Sequence, residues 1–373
     1  MLQPYAMHES ESRGRRWPED PYDGTRGIYE RDIDRVIHSR AFKRLAGKTQ
    51  VISGRRSDHH RTRLTHSVEV AALCRSVARR LGIHEDLAAC LGFCHDLGHP
   101  PLGHPGEDVF NEICGRFGDS FEHNRHTLTI VDEFEEKYAA CPGLNLTFEV
   151  REGIVKHSRQ PDPGDLSAAE FDPALHPPLE AQLTDICDEI CYTFSDLDDA
   201  REGGFIDLEK DLLPGLPDFA SVFEQMAARY PGAARKLLFN ESLRRLMNAA
   251  VQDLTGHTAA RVSEAGVETT ADVRKAPGRL AGCSPAMMER LGRLKDFLRG
   301  AYYRHPEIQE QREENGQRIR KLFDAYRSNP ALLPRRYQAM IREGTHPAHR
   351  VIVYYMVGFT DFYLFQMAER IGV

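Results

Sequence analysis

Apolar positions along this 373-residue chain recur with a helical period over most of its length. In THSVEVAALCRSVARRLG, apolar Val68, Ala71, Ala72, Val77 and Leu81 follow a cap candidate at Thr65, and Gly82 stops the run, which predicts an amphipathic helix. HEDLAACLGFCHDLG predicts a second helix, with acidic residues near its start and Gly98 as its stop. GEDVFNEICGRF and FEHNRHTLTIVDEFEEKY predict two more. LEAQLTDICDEICYTFSDLDDAREGG is long and amphipathic, with Leu183, Ile186, Ile190 and Phe194 on one stripe. The C-terminal half continues helical through RRLMNAAVQDL, MMERLGRLKDFLRGAYY and RVIVYYMVGFTDFYLFQMAERIG.

The pattern weakens twice. RQPDPGDLSAAEFDPALHPP, residues 159–178, reads as a Pro-rich loop or partial insertion, and HTAARVSEAGVETTADVRK as an irregular or small β element. No repeat, low-complexity tract or sustained heptad is visible. The expected architecture is all-α: a core over 28–213 carrying the 159–178 loop, then a C-terminal helical region over 214–373.

Composition narrows the class. Net charge is −7 with 28% charged residues, so no basic excess argues for bulk nucleic-acid binding. A local cluster, SGRRSDHHRTR, reads equally as a phosphate or nucleic-acid patch and as a solvated loop. The eight cysteines form no Cys-x-x-Cys pair, and most sit in apolar helical patterns as small buried hydrophobes. The chain opens on polar residues, and no apolar run approaches the ~18 residues a membrane helix needs. These features predict a reduced, cytoplasmic protein without a membrane partner.

The chemistry concentrates in HDLGHPPLGH, His95 to His104. Neighbouring side chains on a helix point about 100° apart, so His95 and Asp96 converge only where a helix end loosens. His66 at a helix start and Asp188 within the long helix complete a set of four candidate metal ligands from separate elements. Imidazole and carboxylate in that mixture suit a divalent ion, and the lack of a second Asp/His cluster points to one ion rather than two. Taken singly, a histidine on an apolar helix is more often a satisfied core residue than a ligand.

This set resembles the HD-domain metal phosphohydrolases, and more narrowly their dGTPase-like branch, the deoxynucleoside triphosphate triphosphohydrolases. FKRLAGKTQV, DHHRTRLTHSVEV, GFCHDLGHPPLGHPGE, FEHN, IVKHS and EAQLTDICDEICYTFSDLDD carry the match over roughly residues 40 to 200, and GFTDFY matches more loosely. The resemblance implies an HD-domain helical fold with additional C-terminal helices. It also implies that His104 is a catalytic residue beside the metal, with Glu107 orienting it. A phosphate ester cleaved by a metal-polarised water needs a group in line with the scissile bond, and an imidazole held by a carboxylate suits that place. His123 looks like a further active-site residue near the phosphates, against a bland alternative as a helix-surface histidine. His99 is left between a supporting and a purely structural place.

Tyr192 and Asp196 lie four and eight residues after Asp188, so all three can line one pocket. In the family the tyrosine packs where a 2′-hydroxyl would sit and the aspartate holds the 3′-hydroxyl. Gln50, with Val51 beside it, resembles a sugar-reading position. Arg63, one turn before His66, can aim at phosphate, and Lys156 resembles a triphosphate contact; for both, a solvated surface charge is the alternative.

The implied activity cleaves a dNTP, dGTP among them, to deoxynucleoside and inorganic triphosphate. It would use one divalent ion, Mn or Mg, with Fe or Ni also compatible. Implied partners are a second copy of the chain (hexamer or tetramer) and an allosteric dNTP or single-stranded DNA. Two other readings stand beside it: an HD-type phosphohydrolase of nucleoside monophosphates or cyclic nucleotides, and a non-catalytic nucleotide sensor.

Overall fold

A computed structural model describes residues 2–19, 24–51, 60–158 and 169–372. Most of the SGRRSDHHRTR cluster and the first half of the Pro-rich loop lie outside the described residues. Among the described residues the chain is helical, with isolated bridges and no strand. The main helices are α1 (Ile28–Ile37), α2 (Arg63–Leu81), α3 (Glu85–Cys94), α4 (Gly103–Gly115), α5 (His123–Thr129), α6 (Phe148–Val155) and α7 (Leu179–Glu202). They continue as α8 (Pro217–Arg229), α9 (Arg235–Glu264), α10 (Pro285–Leu298), α11 (Pro306–Ser328), α12 (Arg335–Glu343), α13 (Ala348–Val357) and α14 (Asp361–Ile371).

The cap of helix α2 lies three residues before the Thr65 expected from its pattern. Thr62 is the cap: the Thr65 amide donates to Thr62 Oγ1, and the Thr62 amide donates to Thr65 Oγ1 at 3.0 Å. The buried stripe therefore starts at Arg63 and runs through His66, Ser67, Val70, Ala71, Cys74, Val77, Ala78 and Leu81. Val68 and Ala72, expected inside, face out, and Val68 is 47% exposed. The true stripe passes through Arg63, His66 and Ser67, polar residues that hide its phase from a hydrophobicity pattern.

Other expectations change as well. HTAARVSEAGVETTADVRK holds no β element: α9 runs to Glu264, residues 265–269 are irregular, and Thr269 and Asp272 cap a further helical segment at Thr270–Lys275. Buried Leu254, Thr258 and Val262, four residues apart, carry α9 through its β-branched stretch. The FEHN helix ends after Thr129 in a wider π turn, Ile130–Phe134. The last apolar segment breaks between Val357 and Asp361, where Thr360 caps α14 through the Tyr363 amide. Helix α11 is polar through its first half, and its buried apolar residues Ile319, Leu322, Phe323 and Tyr326 gather near its end, which leaves a weak helical pattern in the sequence.

Three cores hold the helices. One packs α2 and α7 against α8, α9 and α10 through Val70, Cys187, Ile190, Phe219, Phe239 and Leu294. It continues without a break across residue 213. A second joins α1, α3 and α6 through Tyr29, Val36, Leu87, Cys90 and Ile154. A third joins α4 to α11, α13 and α14 through Phe110, Phe323, Met356 and Leu364. All eight cysteines are free, and only Cys141 is not fully buried.

Helices α2 and α3 meet backbone to side-chain-free backbone at Gly92. A Cβ at Gly92 would lie 2.6 Å from Ala71 Cα and 2.8 Å from its amide nitrogen. Backbone cannot yield as a side chain can, so Gly92→Ala should cost about 1–3 kcal/mol despite the better helix former. Urea unfolding checks this; an unchanged or higher midpoint contradicts the packing.

Candidate active site

Helix α2 delivers His66, the end of α3 delivers His95 and Asp96, and α7 delivers Asp188. His95 is the residue after the last full turn of α3; its amide bonds to Leu91 O at 3.0 Å, and the Leu97 amide already closes a tighter turn on Cys94 O at 3.1 Å. That loosening lets adjacent side chains converge. The ligand atoms of His66, His95 and Asp96 all lie within 4.8 Å of one another. Asp188 Oδ1 is 2.8 Å from His66 Nε2 and 3.7 Å from His95 Nε2.

This arrangement fits a cation. His95 Nδ1 donates to Gly92 O at 2.7 Å, so its Nε2 presents a lone pair to the cluster. That Nε2 is buried and has no hydrogen-bond partner. An orphaned imidazole nitrogen beside two carboxylates is costly without a cation and fitting with one. Both carboxylates are kept ionised. Burial works to raise Asp96, but the Arg63 guanidinium and the surrounding histidines hold it well below the usual carboxylate range. Burial opposes Asp188 in the same way, yet the hydrogen bond to His66 and nearby imidazoles bring it to about 2.

Supporting groups surround the four. Arg63 is fully buried and donates to Asp96 Oδ2 at 2.9 Å, so it is not a solvated charge. Gly103, at φ 62°, leaves the space it needs: a Cβ there would lie 2.7 Å from Arg63 Nη2. His99 Nε2 is 3.3 Å from Asp96 Oδ1. His157, not anticipated, has Nδ1 2.5 Å from Asp185 Oδ1 and Nε2 3.8 Å from Asp188 Oδ2.

A second group sits beside the first. Glu107 takes two imidazoles at once: His104 Nδ1 donates to Oε2 at 3.3 Å, and His123 Nδ1 donates to Oε1 at 2.8 Å. The His123 amide also donates to Oε1. Burial works to raise Glu107, and these hydrogen bonds hold it far below its ordinary value. His104 stands at the cavity mouth with its side chain 72% exposed. His123 is partly buried, its ring stacked 3.9 Å from that of His99. His99, Glu107 and His123 also bring ligand-type atoms within 4.8 Å of one another, so a second cluster exists that the sequence reading took to be absent; it is assembled from residues too far apart in sequence to show as a motif.

Both groups open into one cavity of about 460 Å³, which Gln50, Val51, Arg63, Tyr192 and Asp196 also line. Asp196 Oδ2 accepts from the Tyr303 hydroxyl, while its Oδ1 is buried without a partner. Burial pushes this carboxyl up to about 7. Gln50 Oε1 is likewise buried and unpartnered.

Lys156 is not brought to the cavity. Its buried ammonium donates to Glu152 Oε1 at 2.9 Å and to the carbonyls of Asp172 and Leu175 at 2.7 Å each. These three bonds use its three protons, leaving none for a phosphate. Besides His157, the cavity takes two residues from the C-terminal region that the sequence reading did not single out. Tyr303 ends a π turn after α10, and Arg312 lies on α11. Arg312 is half-buried, and its Nε has no hydrogen-bond partner. Burial lowers its pKa, which the charge of Asp108 opposes. Neither residue carries a local signal; REENGQRIR reads as a solvated helix face.

Comparison with known proteins adds three findings. A family model described as the HD domain matches residues 63–193, and the phosphohydrolase-associated domain matches 281–370. A protein of Azoarcus sp. (strain BH72) is 42% identical over 99% of this chain and 96% of its own length. Proteins of Ralstonia pickettii (strain 12J), 41% identical, and Geobacter sulfurreducens, 40% identical, each match over 94% of their own length. All three carry the name deoxyguanosinetriphosphate triphosphohydrolase-like protein.

The Arg63–Asp96 pair is open to test. Arg63→Met leaves a buried carboxylate unpaired and should cost about 3–5 kcal/mol in chelator-treated protein, with Arg63→Lys recovering part. Denaturant unfolding measures it; a loss below about 1 kcal/mol contradicts the assigned pairing.

Proposed function

This chain belongs to the deoxyguanosinetriphosphate triphosphohydrolase-like proteins, a family of HD-domain phosphohydrolases, and from that premise we propose that it hydrolyses deoxynucleoside triphosphates to deoxynucleoside and inorganic triphosphate. One observation carries the reading. A single cavity joins the His66, His95, Asp96 and Asp188 cluster, the Glu107-held histidines, the Tyr192–Asp196 wall and Arg312.

In this reading one divalent ion, Mn or Mg with Fe or Ni as alternatives, is held by His66, His95, Asp96 and Asp188. When bound it supplies Lewis-acid polarisation of phosphate oxygens and a more acidic water. The chain's own residues do the rest. Arg63 keeps Asp96 ionised and faces the cavity. Arg312 brings to the cavity a guanidinium whose Nε has no hydrogen-bond partner, and a polyphosphate would supply one. The Tyr192 ring packs against the sugar and leaves no room for a 2′-hydroxyl. The free Oδ1 of Asp196 accepts from the 3′-hydroxyl, and Gln50, its Oε1 also unpartnered, reads the sugar beside it. Water attacks the α-phosphorus, the bond from phosphorus to the 5′-oxygen breaks, and a proton passes to that oxygen. In this reading His104, steadied by Glu107, handles this proton, and His123 shares the same carboxylate. Homo-oligomeric assembly as a hexamer or tetramer, activation by a dNTP or single-stranded DNA, and a cytoplasmic location belong to the same proposal. No described helix is long and apolar enough to cross a membrane.

The test is product analysis. The protein is incubated with Mn²⁺ and each dNTP, alone and mixed, beside GTP, a nucleoside monophosphate and a cyclic nucleotide, and products are resolved by ion exchange. Deoxynucleoside plus intact triphosphate is expected, at least about 100-fold slower in His104→Ala. Arg312→Ala should raise KM by about 10-fold or more, as for a lost charge-assisted hydrogen bond. Orthophosphate from the monophosphate, or opening of the cyclic nucleotide, would replace this reading with another HD-type hydrolase. Nucleotide bound but never turned over would make the chain a sensor.

A further inference from the structure

The last helix reaches back into the site through one carboxylate. Asp361, buried at the start of α14, accepts from the Thr49 amide at 2.9 Å and the Thr49 hydroxyl at 2.7 Å through Oδ2. Its Oδ1 accepts from the Leu102 amide at 2.8 Å. Thr49 precedes Gln50, and Leu102 lies two residues before His104. A residue 312 positions away from Thr49 and 259 from Leu102 thus ties together two loops that line the cavity.

Two further contacts tighten the joint. Buried Lys48 donates to His99 O at 2.5 Å and to Val357 O at 2.9 Å, spanning the same three segments. Gly47 lies so near Thr360 that a Cβ would meet its Cγ2 at 2.6 Å. The loop before His104 needs such restraint. Leu102 sits at φ 67°, in the left-handed region that costs a side-chain-bearing residue about 1–2 kcal/mol and persists only where surroundings over-determine it.

We propose that Asp361, assisted by Lys48, is a positioning residue of the active site: its carboxylate fixes the Gln50 loop against the His104 loop across the cavity mouth. The proposal rests on the functional reading given above. Asp361 does not touch substrate in this account; it sets the separation between a sugar-reading group and a proton-handling one. Misplacing such a group by about 1 Å can cost roughly 100-fold in rate.

The experiment compares Asp361→Asn and Asp361→Ala with Leu364→Ala, a cavity-forming change in the third core on the same helix. Each is assayed with dGTP and Mn²⁺ well below its unfolding temperature, and amide hydrogen exchange is followed in peptides covering 45–51 and 97–106. Asp361→Ala should lower kcat by about 30- to 100-fold, more than it raises KM, with faster exchange in both peptides. Asp361→Asn, which keeps one acceptor, should lower kcat by about 10-fold. Leu364→Ala should lose thermal stability while keeping kcat within twofold and both peptides protected. An Asp361→Ala kcat within twofold of wild type, or an equal fall in Leu364→Ala, overturns the proposal. Should the wild type fail to hydrolyse any dNTP, the functional reading fails and exchange decides alone. Faster exchange in both peptides of Asp361→Ala only upholds the restraint; unchanged exchange overturns it.

Discussion

Burying His66, His95 and Asp96 together, with Asp188 closing over them, is the constraint on which the rest of this structure turns. Imidazoles and carboxylates removed from water must be paired or must bind a cation. The surroundings meet that demand piece by piece. Arg63 neutralises one carboxylate, Gly92 O fixes the His95 tautomer, and His99 stands against Asp96. His95 Nε2 stays open toward the two carboxylates. The close approach of α2 and α3 at Gly92 and the Thr62 cap of α2 serve the same end, since both set where His66 points relative to His95.

The region beyond the HD core completes this site. The HD model ends at 193, and the associated-domain model covers 281–370. Tyr303, Arg312 and Asp361 all fall in the second segment. The first two line the cavity, and the third ties two of its loops. Tyr303 packs on the first core, while the third, which seats α4 against α11, α13 and α14, fixes the helices that carry Arg312 and Asp361.

Much of this was readable in the sequence. The helical class followed from apolar spacing, and the four ligand-type residues from their chemistry and from the place of His95-Asp96 at a helix end. What stayed hidden has physical reasons. The phase of α2 was misread because the buried stripe begins with Arg63, His66 and Ser67, which look exterior by polarity. Lys156 was misread in the opposite sense: its charge suggested a phosphate contact, but Glu152 and two carbonyls distant in sequence absorb it. Tyr303, Arg312 and Asp361 reach the site through long-range packing, which no local spacing encodes.

The central claim, that the four converging side chains form a metal centre, is tested most directly by titrating Mn²⁺ into chelator-treated protein by calorimetry. The account predicts one ion per chain, a thermal midpoint that rises as the site fills, and neither effect in His95→Ala. Absence of binding to the wild type, or equal binding and stabilisation in His95→Ala, would contradict it.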